Sequence, residues 1–585
     1  MNYLKKFFFI ISQEQRYSLI YVFLLMLIGM VLETFSIGLV IPLINTMLQY
    51  DNTTYRFNEI LFYFFSRDFS LIELYLIGLS VVLLVFTIKT LFMSYLYWKQ
   101  YSFAYNVNRE LSQKMYEGYV DLPYSFHLTN NSSLAIKNIT NEVANMTGVV
   151  IQSLQVATDT FIFFGITCLL LYYQPVGAIG VGLMIGIPVF MFYRLFKERI
   201  LKWGKQREIN EGNRVKLIQE GIGGIKDIKV LGRESSFFES YSFYNYNQTR
   251  ADQLKSFVTA LPKQWIEYVS IIGIVILVLV LIFEGRNPES IVASLAIFTA
   301  AAFRILPSTN RILSGVQLIK YFVPSIDILD DLLKKFGNKE NQINFSDKFS
   351  FKKNIRIENL CFAYPEQDKN VLNDINIDIK KGELIGVIGK SGSGKSTLIN
   401  ILLGLLDIKS GSIYVDDYDI SNDFKRWQKL IGFVSQNIFL KNDTILNNIA
   451  FGIHQDQIDT QRIQKCLELS NLDRFINELP KKLQTEVGER GIRLSGGQLQ
   501  RIGIARALYE NPEIIIFDEA TSALDFETEK EVLNSINTLR KEKTIIMVTH
   551  RVNNLEKFDK IFFIEDGKMV KSGDYNELSN EGILN

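Results

Sequence analysis

Cysteine is scarce in this chain. Cys168, Cys361 and Cys466 stand far apart and without CxxC spacing. That pattern excludes a disulfide framework and a thiolate metal site, and small buried apolar groups are the expected use. Net charge is nearly as scarce. Lys and Arg number 63 against 62 Asp and Glu, leaving +1, so the charge balance gives no reason to expect nucleic acid as a partner. A secretory signal core is missing too: Phe7 to Ile11, between Lys5-Lys6 and Gln13-Glu14, is too short for one. This segment is expected to lie as an amphipathic stretch on a membrane surface. No internal repeat divides the 585 residues into copies.

Apolar residues are what the chain has in excess. They make up 48%, with 43 Phe and 27 Tyr, against 21% charged, and they are unevenly spread. Residues 1–333 carry long apolar runs, 334–350 form a polar linker without hydrophobic periodicity, and 351–585 read as a soluble α/β domain. A spanning helix needs about 20 apolar residues to cross about 30 Å of hydrocarbon. Six stretches qualify: Tyr17–Ile44, Leu71–Tyr97, Val149–Tyr173, Val176–Phe196, Phe257–Phe283 and Ile291–Tyr321. The second flows into a polar, helical-looking segment, Lys99 to Val120, and the third is preceded by one, like rods reaching into the cytosol. Between the fourth and fifth spans run Arg194, Lys197, Arg199, Lys202, Lys205, Arg207, Arg214, Lys216, Lys226, Lys229 and Arg233, whereas the short connections around Gln174 and Glu284–Glu289 hold almost no cations. The long loops and both termini are therefore expected on the cytosolic side. Asn58–Phe65 (NEILFYFF) is too short to cross and reads as a helix on the outer face.

Ionisable residues inside a span are costly unless they meet a cavity or a partner. Glu33, Lys89, Asp159, Glu267, Arg304 and Arg311 are the ones present. Arg304, Ser308 and Arg311 recur at four- and three-residue steps and so share one helix face, with Pro307 between them expected to kink the span. Such a polar stripe suggests a water-filled path that tolerates an anionic group.

The linker is followed by a different chemistry. Gly389-Lys390-Ser391-Gly392-Ser393-Gly394-Lys395-Ser396 fits G-x-x-x-x-G-K-[ST], with the apolar run Leu384–Ile388 before it and the helical spacing of Thr397–Leu403 after it. Glycines let the N–H groups of such a loop turn inward around phosphate oxygens, above the positive end of a helix. Lys395 is suited to the β- and γ-phosphates and Ser396 to Mg2+. Upstream, Tyr364 is placed to stack on a base. Ile514–Phe517 ends in Asp518 and Glu519, the first suited to hold Mg2+ and the second to orient an attacking water. Leu494-Ser495-Gly496-Gly497-Gln498 opens a further helix with a second glycine-rich turn, and His550 follows the apolar run Thr544–Thr549.

With these motifs in this order, the chain resembles the ATP-binding cassette (ABC) transporters of exporter type along its whole length. The resemblance implies a membrane α-helical domain of six transmembrane helices, type I ABC exporter-like, followed by an α/β P-loop NTPase domain, with ATP and Mg2+ as cofactors. It also implies the roles: Tyr364 on adenine, Gly389–Ser396 with Thr397 as Walker A loop, Gln436 as the Q-loop glutamine at Mg2+, and Asp518 as Walker B aspartate beside Ser396. Glu519 becomes the catalytic carboxylate, Asp525 the D-loop aspartate and His550 the switch histidine. Thr485–Gly491 resembles the loop that meets the cytosolic helix ends, and Val120–His127 and Gly221–Asp227 resemble coupling helices; His454 has no role. In this family Ser495, Gly496, Gly497 and Gln498 of one copy close on ATP held by another. One membrane half with one complete cassette therefore implies pairing with a second identical chain, a partner with a degenerate site being the alternative.

Two stretches, Leu32–Leu43 and Phe303–Arg311, are similar to bacterial lipid-linked oligosaccharide flippases of the PglK type. That resemblance implies a polyprenyl-pyrophosphate-linked glycan carried to the outer leaflet for protein glycosylation, with Arg304 and Arg311 near the pyrophosphate. The alternative is export of a lipid A-like lipid, a drug or a peptide. Six spans exclude a soluble cassette ATPase, and a nucleotide-regulated channel would instead show ligand-gated currents.

Overall fold

A computed structural model describes residues 5–6, 9–39, 70–173, 175–285, 288–337, 350–364, 369–421, 423–519, 526–540, 542–549 and 552–582. The chain divides into two compact units, residues 1–122 with 126–340, and residues 123–125 with 341–585. The outer-face helix expected at Asn58–Phe65 lies outside the described residues.

The first unit is built of long helices: α1 (Gln13–Gly38), α2 (Leu71–Val120), α3 (Val143–Tyr173), α4 (Pro175–Gly223), α5 (Glu234–Phe283) and α6 (Pro288–Tyr321), with α7 (Val323–Phe336) following α6. Two start on capping boxes. Ser12 accepts from the Gln15 N–H and Ser70 from the Glu73 N–H, while both longer side chains bond back to the cap N–H. Among the described residues, four helices are long and apolar enough to cross a membrane, or five if Ile305–Tyr321 and Val323–Phe336 count as one span bent by 47°. The N-terminal end of α4, Pro175 to Tyr193, is a further run without charge. Pro307 does not end α6, which continues to Tyr321; the marked bend falls at Phe322. α4 runs along α5, while α3 packs against both α1 and α6.

The side chains between these helices are Leu19, Met26, Leu96, Met146, Ile162 and Ile166, all buried. Ile10 and Ile11 of the N-terminal segment belong to the same core, whereas Phe9 beside them is exposed, so this segment is amphipathic but packs into the unit. Two pairs of charges meet inside the bundle among the described residues. Lys89 on α2 reaches Glu33 on α1 at 3.2 Å. Arg311 on α6 holds Asp159 on α3 with two parallel bonds of 2.7 and 2.6 Å. A charged residue at a helix centre in lipid costs about 2.5–3.5 kcal/mol on insertion scales, and such pairing offsets much of that. Of the three cysteines only Cys466 is buried; Cys168 is exposed and Cys361 half-buried, so two of them depart from the expected burial.

The second unit holds two sheets. The first is antiparallel, in the order β2 (Leu372–Lys380), β1 (Asn354–Phe362), β4 (Ser410–Val415), β5 (Tyr418–Asp419). The other has the order β10 (Lys568–Gly573), β9 (Lys560–Glu565), β3 (Leu384–Ile388), β8 (Thr544–Val548), β7 (Ile514–Asp518), β6 (Ile431–Val434), parallel except for the terminal hairpin. Its inner strands read as unbroken apolar runs because both faces are covered. Ile515, Phe517, Ile545 and Met547 enter one core, and their sequence neighbours Ile514, Ile516, Ile546 and Val548 enter the other, as the two-residue period of a strand requires. Burying each such Ile or Phe contributes about 1.5–3 kcal/mol.

One contact in the helical unit leaves no room for a side chain. A Cβ on Gly204 of α4 would stand 2.1 Å from the Tyr321 carbonyl oxygen at the end of α6. Gly204→Val is therefore expected to lower the stability of the purified protein by about 1–3 kcal/mol. Thermal unfolding in detergent reads this out, and an unchanged midpoint would mean that the two helices separate there without cost.

Candidate functional site

The parallel register brings four loops to one edge of the sheet. Val387 of β3 lies opposite Val548 of β8, Val548 opposite Asp518 of β7, and Phe517 opposite Val434 of β6. The segments that follow these strands emerge side by side, at the strand ends where open α/β sheets bind ligands. They carry Gly389–Gly394, Thr549, Glu519 and Gln436.

The glycine loop between β3 and α8 (Lys395–Leu402) has positive φ at Gly389, Gly392 and Gly394, at 151°, 81° and 104°. Space adds to the requirement, since a Cβ on Gly389 would sit 2.1 Å from the Ile564 carbonyl oxygen of β9. Lys390, Ser391 and Ser396 are exposed, whereas Ser393, Lys395 and Thr397 are buried. The Lys395 ammonium folds back on its own loop, donating to the Gly389 and Lys390 carbonyls at 2.9 and 2.8 Å. Burial pulls its pKa below the usual lysine range, against the opposing field of Glu519 and Asp518. Lys390 instead pairs with Glu565 at 2.7 Å. Tyr364 is half-buried; its hydroxyl lies 3.2 Å from that of Thr397 and its ring meets Phe362 edge-on.

Opposite the loop, Glu519 adopts a left-handed backbone with φ 48°, and its N–H donates to the Val548 carbonyl at 3.1 Å. Gln436 donates from Nε2 to Glu519 Oε2 at 2.8 Å, which brings together two residues far apart in sequence. Asp518 Oδ1 is buried without a hydrogen-bond partner among the described residues. Burial, and then the neighbouring Glu519, push its pKa above the usual carboxylate range, with Lys395 opposing. A buried acceptor oxygen of this kind is the hard ligand that suits Mg2+, as are the Ser396 hydroxyl and the Gln436 amide oxygen. Ser495 caps α9 (Gly496–Leu508), accepting from the Gln498 N–H, while Gln498 Oε1 accepts from the Ser495 N–H. Ser495 and Gly496 are exposed, Gly497 is buried and Gln498 half-buried. Asp525 and His550 lie outside the described residues.

Within the helical unit, Arg311 lines two cavities. One, of about 460 Å³, is bounded by Lys263, Glu267, Phe303, Pro307 and Asn310 with apolar neighbours. The second, of about 270 Å³, is bounded by Tyr97, Tyr101, Gln155, Thr158 and Asp159. Ser308 is fully buried and accepts from Arg311 Nη2 at 3.4 Å. Only the backbone of Arg304 is described, inside α6.

Comparison with known proteins gives the same division. Residues 372–522 match the family described as ABC transporter, and residues 19–304 match the ABC transporter transmembrane region. An ATP-dependent lipid A-core flippase of Shewanella frigidimarina is 30% identical over 477 residues, covering 80% of this chain and 78% of that one. Its namesake in Saccharophagus degradans is 30% identical, covering 81% and 80%. The chain belongs to the ABC transporter family. A solved bacterial Atm1-family ABC exporter with ATP bound superposes with a TM-score of 0.80 at 19% identity, covering 97% of each chain, and so shares the fold. This transporter thus joins a membrane-spanning helical domain to an ATP-binding domain, and its ATPase drives movement of a substance across the membrane.

Some structural partners in the transporter were not legible as pairs. Arg506 on α9 donates to the carbonyls of Asn448 and Phe439, both at 2.8 Å, and to the Asn448 side chain at 3.2 Å. It thereby ties the segment after Gln436 to the helix that Ser495 caps; a single arginine in a helix carries no sequence signal of that kind. Asp159 stood out as an ionisable residue in a span, but its bond to Arg311 depends on packing.

Asp518 is half-buried with Oδ1 fully covered, and its carboxylate opposes folding of the ligand-free protein. Because its folded pKa is raised, its contribution favours folding at acid pH and is lost as pH rises through that folded value. Asp518→Asn is therefore expected to raise neutral-pH stability without nucleotide by about 0.5–2 kcal/mol while ATPase activity is lost. Calorimetry alongside phosphate release measures both, and a less stable variant would contradict this reading of the charge.

Proposed function

We propose that this transporter is an ATP-driven flippase for an amphipathic lipid with an anionic head group, carried from the cytosolic to the outer leaflet. The observation that carries the reading is the 460 Å³ cavity with Lys263 and Arg311 on its wall. It shares Ala302 and Leu306 with a smaller apolar cavity lined by Leu170, Met184 and Ile185. Arg311 Nε and Nη2 hold Asp159, but its charge and that of Lys263 still attract phosphate oxygens, and the apolar wall suits acyl chains. The relatives named lipid A-core flippases favour a lipid A-like substrate, which was the alternative reading of the sequence. The polyprenyl-pyrophosphate glycan stands second, supported by the similarity of Leu32–Leu43 and Phe303–Arg311 to PglK-type flippases. Arg304 and Arg311 are the proposed head-group contacts in either case.

For the ATP site, the proposed roles are Tyr364 against adenine, Gly389–Thr397 around the phosphates, and Ser396, Gln436 and Asp518 toward Mg2+. When bound, Mg2+ would neutralise charge on the phosphates. Glu519 orients the attacking water, beside the Gln436 amide that donates to its Oε2. His550 and Asp525 complete the set. Ser495–Gln498 act on ATP held by a second identical chain, which gives a twofold homodimer with two equal sites. The termini and ATP-binding domain face the cytosol, following the cations from Arg194 within α4 to Arg233 just before α5. The proposed domain limits are 1–333 and 351–585, with 334–350 as linker.

The test uses the full chain in liposomes holding either fluorescent lipid A or a short-chain polyprenyl-pyrophosphate glycan. ATP-dependent movement of lipid A, lost in Glu519→Gln and reduced about tenfold in Arg311→Ala, is the expected result. Movement of the glycan lipid alone would select the second reading. ATP turnover with movement of neither would remove both.

A further inference from the structure

Two helices of the membrane unit depart from regular geometry, and both irregularities meet one side chain. The turn Asn138–Glu142 is a π-helical step that leads into α3, and the 47° bend separates α6 from α7. Arg207, on the uninterrupted helix α4, is 3% exposed. Its Nη2 donates to Glu142 at 3.4 Å, the last residue of the π step, and to the Ser325 hydroxyl at 3.1 Å, just past the bend. Its Nη1 holds Glu211 at 3.0 Å. The guanidinium carbon lies 4.9 Å from the centre of the Phe322 ring, at the bend itself. From the other side, the Tyr321 hydroxyl donates to Asp252 of α5 at 2.8 Å.

A π step and a helix break both give up regular backbone bonding, π steps are frequent at functional sites, and a bend fixes a direction for the helix beyond it. The planar guanidinium serves several directions at once, which a lysine ammonium on a flexible stem does not. α7 is also the last described helix before the linker that runs, in sequence, to the ATP-binding domain. We propose that Arg207 is a positioning residue for the coupled reaction: it fixes the angle between α6 and α7 against the π step, so that α7 moves as a rigid arm during ATP turnover.

The test needs no knowledge of the transported lipid. Spin labels are placed at the exposed positions Ile209 of α4 and Lys335 of α7 in full-length protein whose three cysteines have been replaced. Distances are recorded in nanodiscs, with and without ATP and vanadate, beside basal ATPase. The parent should show a narrow distribution that shifts as one population. Ser325→Ala removes the side-chain bonds from α7 to Arg207 and to Glu142, and Arg207→Lys keeps the charge toward Glu142 and Glu211. Both variants should hold basal ATPase within about twofold and broaden the distribution at least twofold in width. A distribution as narrow as the parent's in both variants would overturn the proposal. So would ATPase falling in step with the amount of folded protein, which is what a purely structural role produces.

Discussion

A charge removed from water needs a counter-charge at contact distance, and the helical unit is arranged around that requirement. Glu33 and Asp159, both nearly fully buried, meet Lys89 and Arg311 from neighbouring helices. Such pairs add little net stability over an apolar core, because desolvation cancels much of the attraction. Their consequence is register: a carboxylate on α3 that must meet one guanidinium on α6 fixes how the two helices slide and rotate. The cavities beside Arg311 inherit their position from that bond.

The ATP-binding domain obeys the same rule at the edge of a parallel sheet, but leaves one term unbalanced. Apolar burial on both faces sets the strand register, and the register delivers the glycine loop, Asp518, Glu519 and Gln436 to one edge. Lys395 satisfies itself on its own loop carbonyls and Gln436 engages Glu519, while Asp518 Oδ1 has no partner among the described residues. A buried acceptor that the protein does not satisfy itself raises the free energy of the ligand-free site, and a cation or a donating ligand lowers it.

Much of this was legible early because some chemistry demands contiguous residues. A phosphate loop needs glycines at positive φ within a few residues, and Gly389, Gly392 and Gly394 show that demand directly. Buried strands need unbroken apolar runs, and Leu384–Ile388 has the bounds its composition suggests. Pro307 was less informative. A proline costs a helix one hydrogen bond, which surrounding packing can absorb within α6; the marked bend sits at Phe322, just before Pro324 in the first turn of α7, with the Arg207 guanidinium over the Phe322 ring.

The sequence by itself determined the two kinds of domain, the nucleotide chemistry and the family, because each rests on local spacing or composition that folding does not alter. It also marked which charges would be costly in the membrane. Only the tertiary structure decided what those charges meet, Arg311 with Asp159 and Lys89 with Glu33, and likewise joined Arg207 to Glu142 and Ser325, and Gln436 to Glu519. These partners are separated by long stretches of chain, and their contact depends on how whole helices pack and how strands align. Pairwise electrostatics is short-ranged in space and indifferent to sequence distance, so no local pattern records it.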